Sequence, residues 1–75
     1  MQFDNKKFKE LYTSKGLSQA EIALKLGVSA MSVHYYEMSE RQPSLKVLGR
    51  MCKEFGLTPN DFIKEETDTN KNLEN

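Results

Sequence analysis

The sequence predicts an all-α domain of five short helices, and three observations carry that expectation. Residues that cap helix starts, among them Asp4, Ser18, Ser29, Ser44 and Thr58, stand just ahead of segments with apolar residues at helical spacing. Gly16, Gly27 and Gly56 follow those segments, where helices commonly stop in a left-handed residue. The segment Ser18 to Glu37, SQAEIALKLGVSAMSVHYYE, reads as two short helices hinged at Gly27, with the small Ala23 where they cross. Two helices crossing closely at about 90–120° need a residue no larger than alanine at the contact, and a tight turn between them needs one that tolerates positive φ.

The first helix opens at Asp4 or Asn5 and runs to about Ser14, with Phe8, Leu11 and Tyr12 on one face. Gly16 ends it. Ser18 and Glu21 form a capping box for the second, which closes at Gly27. Ser29 caps the third, about Ala30 to Met38, whose inward face is Val33 and Tyr36. The stretch Ser39 to Pro43 has loop composition, and Ser44 caps a fourth helix with Leu45, Leu48, Met51, Cys52 and Phe55 at the 3.6-residue period. After Gly56, the run Thr58-Pro59-Asn60-Asp61 supplies a cap, a proline at the first helical position and an acid in the first turn, for a fifth helix to about Lys64. The expected core is Phe8, Leu11, Leu17, Ile22, Ala23, Leu26, Val28, Val33, Tyr36, Leu45, Leu48, Met51, Phe55, Leu57 and Phe62. Residues 66–75 are polar and acidic and read as a disordered tail beyond a 1–65 domain, because they cannot bury enough surface to offset their ordering entropy.

At 75 residues the chain holds one small core and leaves no room for an enzyme with a deep pocket. The single cysteine, Cys52, allows no internal disulfide, and no apolar run approaches the roughly 18 residues of a membrane span, so a cytoplasmic protein is expected. With one His and one Cys there is no usual metal-ligand set, nor a paired-carboxylate, phosphate-loop or nucleophile–base constellation. No cofactor, membrane or small-molecule substrate is expected. Net charge is zero, yet unevenly spread: residues 65–75 carry four acids against Lys71, and residues 1–64 carry 10 basic and 7 acidic groups. Lys6, Lys7, Lys9 and Lys15 could give the first helix a face toward phosphates, or be a solvated face only.

From about Phe8 to Ile63 the chain resembles the phage repressor and Cro type of helix-turn-helix domain, the XRE family, whose fold is lambda-repressor-like. FKELYTSKGLSQAEIALKLGVS, SVHYYEMSERQPSLKVL and RMCKEFGLTPNDF carry the resemblance, with GLSQ, KLGVS, the Glu37 to Pro43 loop and FGLTP as its landmarks. It implies a third helix in the major groove and a second helix crossing the backbone. By motif position, Ala30, Met31, His34 and Tyr35 fall where base contacts usually sit, and Gln19, Ser29, Ser32 and Arg41 where phosphates are bound.

The chain departs from that pattern in several places. An alanine, a methionine and two aromatics replace the polar readers that recognise bases through paired hydrogen bonds, so readout would be more apolar, through thymine methyls. Tyr12 stands where the family often has an arginine paired with the glutamate kept here as Glu37, and a hydroxyl-to-carboxylate bond could substitute. Ser39 replaces a common glycine, and Glu40 a basic residue.

The implied function is a sequence-specific regulator of transcription of the phage or mobile-element repressor kind. It would bind double-stranded DNA as a homodimer, with Phe62 and Ile63 of the fifth helix as dimer surface. The alternative is a protein of this fold that acts by binding another regulator, such as a modulator of a phage repressor, because exposed Met31, Tyr35 and Met38 suit a protein interface. Plainer readings stand beside both, with His34 an ordinary surface residue and Cys52 core packing.

Overall fold

The computed structural model describes residues 2–64 and contains four α-helices rather than five. They are α1 (Asn5–Ser14), α2 (Gln19–Leu26), α3 (Ala30–Glu37) and α4 (Leu45–Phe55). The expected fifth helix is one turn of 3-10 helix, Pro59–Phe62. The all-α expectation is also corrected: β1 (Gln2–Phe3) pairs antiparallel with β2 (Ile63–Lys64), Phe3 opposite Ile63. The tail expected at 66–75 lies outside the described residues.

The local punctuation explains the helix limits. Asp4, Ser18, Ser29 and Ser44 each accept a bond from the backbone N–H three residues on, satisfying one of the donors that a helix start leaves open. Ser18 and Glu21 form the full capping box, Glu21 Oε1 accepting from the Ser18 N–H at 2.8 Å. Gly27 (φ 72°) and Gly56 (φ 68°) close α2 and α4 in the left-handed region.

The last turn follows a different logic. Asp61 accepts from both the N–H and the hydroxyl of Thr58, at 2.9 and 3.0 Å, and those two bonds hold its carboxyl below the usual range. The chain then extends, because Ile63 adopts β geometry and the Asp4 N–H donates to the Phe62 carbonyl at 2.7 Å. Both ends of the domain are thereby fastened together.

The core comprises Phe3, Phe8, Tyr12, Ile22, Ala23, Leu26, Val33, Tyr36, Val47, Leu48, Met51 and Phe62. Leu11, Leu17, Val28, Cys52, Phe55 and Leu57 pack against it, half-buried. Two corrections concern the ends of the core. Leu45, expected inside, is 86% exposed at the first position of α4, and Val47 is buried in its stead. Phe3 joins the core, its ring stacked on Phe62 with centroids 6.1 Å apart and tilted onto Phe8 at 5.7 Å. Phe62 is completely buried, so it is unavailable as the dimer surface expected of it. Ile63 is half-buried in the strand pair.

Candidate nucleic-acid interface

The helix pair α2–α3 is the most extensive packing in the domain, built on Ile22, Ala23 and Leu26 against Val33 and Tyr36. Its outer side carries the residues singled out above. Ala30, Met31 and His34 are exposed along one face of α3, and with Gln19 at the first position of α2 they line one shallow, open depression. Three of the four base-contact candidates and one phosphate-contact candidate are therefore contiguous.

The remaining candidates are arranged differently. Ser29 and Ser32 are bonded to each other: Ser29 Oγ accepts from the Ser32 N–H at 3.0 Å, and the two hydroxyls lie 3.0 Å apart. This is cap geometry at the start of α3, where the helix dipole also favours an anion. Tyr35 is half-buried and outside the depression. Its ring lies under the Arg41 guanidinium, whose carbon is 4.7 Å from the ring centroid.

Glu37, at the end of α3, gathers the other elements. Its carboxylate accepts from the Tyr12 hydroxyl, and from the Gln19 side-chain amide at 3.1 Å. Lys9 Nζ approaches to 4.0 Å. Its backbone carbonyl accepts from Asn5 Nδ2 at 2.8 Å. The Glu37 side chain is only 8% exposed, so burial pushes its carboxyl above the ordinary value, with the Lys9 charge pulling the other way. Gln19 thus reaches the surface already tethered at its amide, which restricts where the rest of that side chain can point. The sequence marked Asn5 only as a possible helix start and Lys9 only as one of four basic residues near the first helix, and neither as a partner of Glu37. Their only signal would have been the pairing of first-helix residues with Glu37, which a chain reading shows at Tyr12 alone.

Electrostatics separate the lysines expected to form one basic face. Lys15 turns toward α4, donating to the Glu54 carbonyl at 3.1 Å and lying 3.8 Å from its carboxylate. Lys25 shares that carboxylate at 3.6 Å. Lys6 and Lys9 instead border a groove with Asn5, Glu10, Thr13 and Glu37, on the side of α1 nearest Gln19.

Burial, with Asp61 adding to it, raises the Cys52 thiol, which disfavours the thiolate that reactivity requires. Among the described residues no group of three His, Cys, Asp or Glu side chains could hold a metal, and no helix is long and apolar enough to cross a membrane.

Two comparisons bear on this geometry. A family described as helix-turn-helix matches residues 8–62. The chain is 34% identical over 73 residues to a Sulfolobus acidocaldarius protein provisionally named an HTH-type transcriptional regulatory protein. That match covers 95% of this chain and 24% of the relative, so the chain spans about a quarter of the relative's length.

Proposed function

The chain belongs to the helix-turn-helix family of the phage repressor and Cro type, and from that premise we propose that it is a sequence-specific DNA-binding regulator of transcription. The observation that carries this reading is the single depression in which Gln19, at the start of α2, lies beside Ala30, Met31 and His34 on α3. In this reading α3 enters the major groove, with Ala30, Met31 and His34 toward base edges. Gln19, Ser29, Ser32 and Arg41 face phosphates, the first three at helix N-termini whose backbone N–H groups attract anions.

Readout by an alanine and a methionine rests on apolar contact, which suits thymine methyl groups, and one protomer makes few base contacts. The protein therefore acts as a homodimer on two half-sites about one helical turn apart, in the manner of a small phage or mobile-element repressor. Its setting is the cytoplasm.

Selection of DNA from a random pool with the purified protein, followed by native gels, tests the reading. Enrichment of an inverted repeat bound by two copies supports it. Retention of no sequence, with only weak binding that salt abolishes, overturns it.

A second reading is favoured by one observation. Met31 and Met38 are 57% and 56% exposed at the two ends of α3, an apolar surface that the fold itself does not use. A helix-turn-helix protein that engages another regulator through this face would show it by stoichiometric complex formation that Met31→Lys abolishes.

A further inference from the structure

The end of α3 is built so that Tyr35 and Arg41 meet. Met38 is the last residue before the chain leaves the helix, and Ser39 follows with φ 60°. The Glu40 N–H then donates to the Tyr35 carbonyl at 2.9 Å, and the Ser39 N–H to the Tyr36 carbonyl at 3.3 Å. These are the two reversed bonds of a Schellman closure, with Ser39 in the position that glycine usually takes. The closure turns the chain back along the helix it has just left. Arg41, the next residue, is further tied by its N–H to the Tyr35 carbonyl at 3.4 Å, and its guanidinium comes to rest over the Tyr35 ring.

Resting on the reading of α3 as a recognition helix, we infer that Tyr35 is a positioning residue: its ring is the platform that holds the Arg41 guanidinium at the edge of the recognition face. The observations converge on this. Tyr35 lies outside the depression formed by Ala30, Met31, His34 and Gln19, so its hydroxyl is set apart from the other base-contact candidates. An arginine side chain is otherwise costly to immobilise, since its several rotatable bonds carry large rotamer entropy. Stacking on the ring removes part of that cost before DNA arrives, and leaves the planar edge with its N–H donors directed outward for a phosphate. Arg41 also compensates for its neighbour. Glu40 places a negative charge where the family commonly has a positive one, and a guanidinium held in a fixed place keeps the loop attractive to the backbone.

The platform makes a prediction that direct base reading by Tyr35 does not: Tyr35 and Arg41 act as one unit, and the phenol hydroxyl is dispensable. The experiment is a double-mutant cycle on the selected DNA, with Tyr35→Leu, Arg41→Ala and the double variant, beside Tyr35→Phe. In the wild-type background Arg41→Ala is expected to weaken binding about tenfold and to lower the salt dependence by about one counterion. In the Tyr35→Leu background the same change is expected to cost about threefold or less, and Tyr35→Phe to bind within about twofold of wild type.

Chemical shifts of the Arg41 side-chain protons in the protein without DNA give an independent readout. They should be displaced by the ring current in wild type and Tyr35→Phe and revert in Tyr35→Leu. Equal losses for Arg41→Ala in both backgrounds, or a Tyr35→Phe variant as impaired as Tyr35→Leu, overturn the platform. If Gln19→Ala and His34→Ala still weaken binding in that case, the regulator reading stands without it. A protein that retains no DNA sequence overturns the regulator reading and the platform's function together.

Discussion

The Tyr12 hydroxyl on α1 donates to the Glu37 carboxylate at the end of α3, across 25 residues of sequence and with both side chains largely withdrawn from water. A neutral donor here meets the buried charge that an arginine often meets in this family. The link ties α3 to α1, and leaves Glu37 able to hold Gln19 as well.

Removing the hydroxyl leaves an anionic acceptor short of one partner at a side chain that is only 8% exposed. Tyr12→Phe is therefore expected to lower stability by about 1.5–3 kcal/mol, the range for hydrogen bonds to charged groups, as measured by urea unfolding. A loss below about half a kilocalorie per mole would mean that the bond contributes nothing beyond surface scatter.

Glu37 also gives stability a pH dependence of definite sign. Burial raises its pKa in the folded protein above the ordinary value of 4.5, so the folded chain binds that proton more tightly than the unfolded chain. The contribution is fully present below the unfolded value and is lost as pH rises through the folded one. Relative to Glu37→Gln, which does not titrate, wild type should lose stability over that interval above 4.5. Urea melts of both proteins across the acid range check this, and a gap that stays constant or moves the other way contradicts it.

Ser39 adopts φ 60° in the closure of α3, a conformation that costs a side-chain-bearing residue roughly 1–2 kcal/mol and glycine almost nothing. Part of that gain returns as the greater freedom of glycine in the unfolded chain. Ser39→Gly is expected to stabilise the domain by about 0.5–1 kcal/mol in thermal unfolding. A destabilised variant would show that the serine makes a compensating contact.

Gly27 and Gly56 share the left-handed conformation but not their surroundings. A Cβ at Gly27 would lie 2.6 Å from Nη1 of Arg50, the atom that donates to the Leu26 carbonyl at 2.9 Å, whereas a Cβ at Gly56 meets no atom within 4 Å. Gly56→Ala should cost about 1–2 kcal/mol from backbone strain alone. Gly27→Ala should cost about 1 kcal/mol more, because it also displaces the arginine that satisfies the end of α2. Adding Arg50→Ala to Gly27→Ala should cost little further, which equilibrium melts of the three variants can read.

Leu45 and Met51 both fit the apolar period of α4, yet only Met51 is inside. Leu45→Ala is expected to change stability by no more than about 0.5 kcal/mol, and Met51→Ala to cost about 2–5 kcal/mol. Comparable effects at the two positions would contradict the packing described.

Most helix limits were legible because their causes are local. Asp4, Ser18, Ser29 and Ser44 reach N–H groups three residues away, and Gly27 and Gly56 act on their own φ, so a window of a few residues contains the whole mechanism. Leu45 misled because it sits at the very first position of its helix, where a correct period does not ensure a neighbouring helix to cover it. The 3-10 turn carried the cap chemistry of a helix, yet one turn was all that fitted before Ile63 had to extend against Phe3.

At the candidate site the family pattern brought out Gln19, Ala30, Met31 and His34, which the fold does bring together, and marked Tyr12 and Glu37 as a pair. It did not reveal Asn5 and Lys9 converging on Glu37, nor the ring of Tyr35 beneath Arg41, since neither contact leaves a periodicity to read. The sequence by itself determined where four helices begin and end and that α2 and α3 pack together across the turn at Gly27. Only the tertiary structure decided that Phe3 and Phe62 close the core, that two-residue strands join the ends, and that one buried carboxylate holds three helices. Caps and periods are set by interactions within a turn or two, whereas these pairings join residues far apart in sequence, whose meeting depends on how every intervening helix packs.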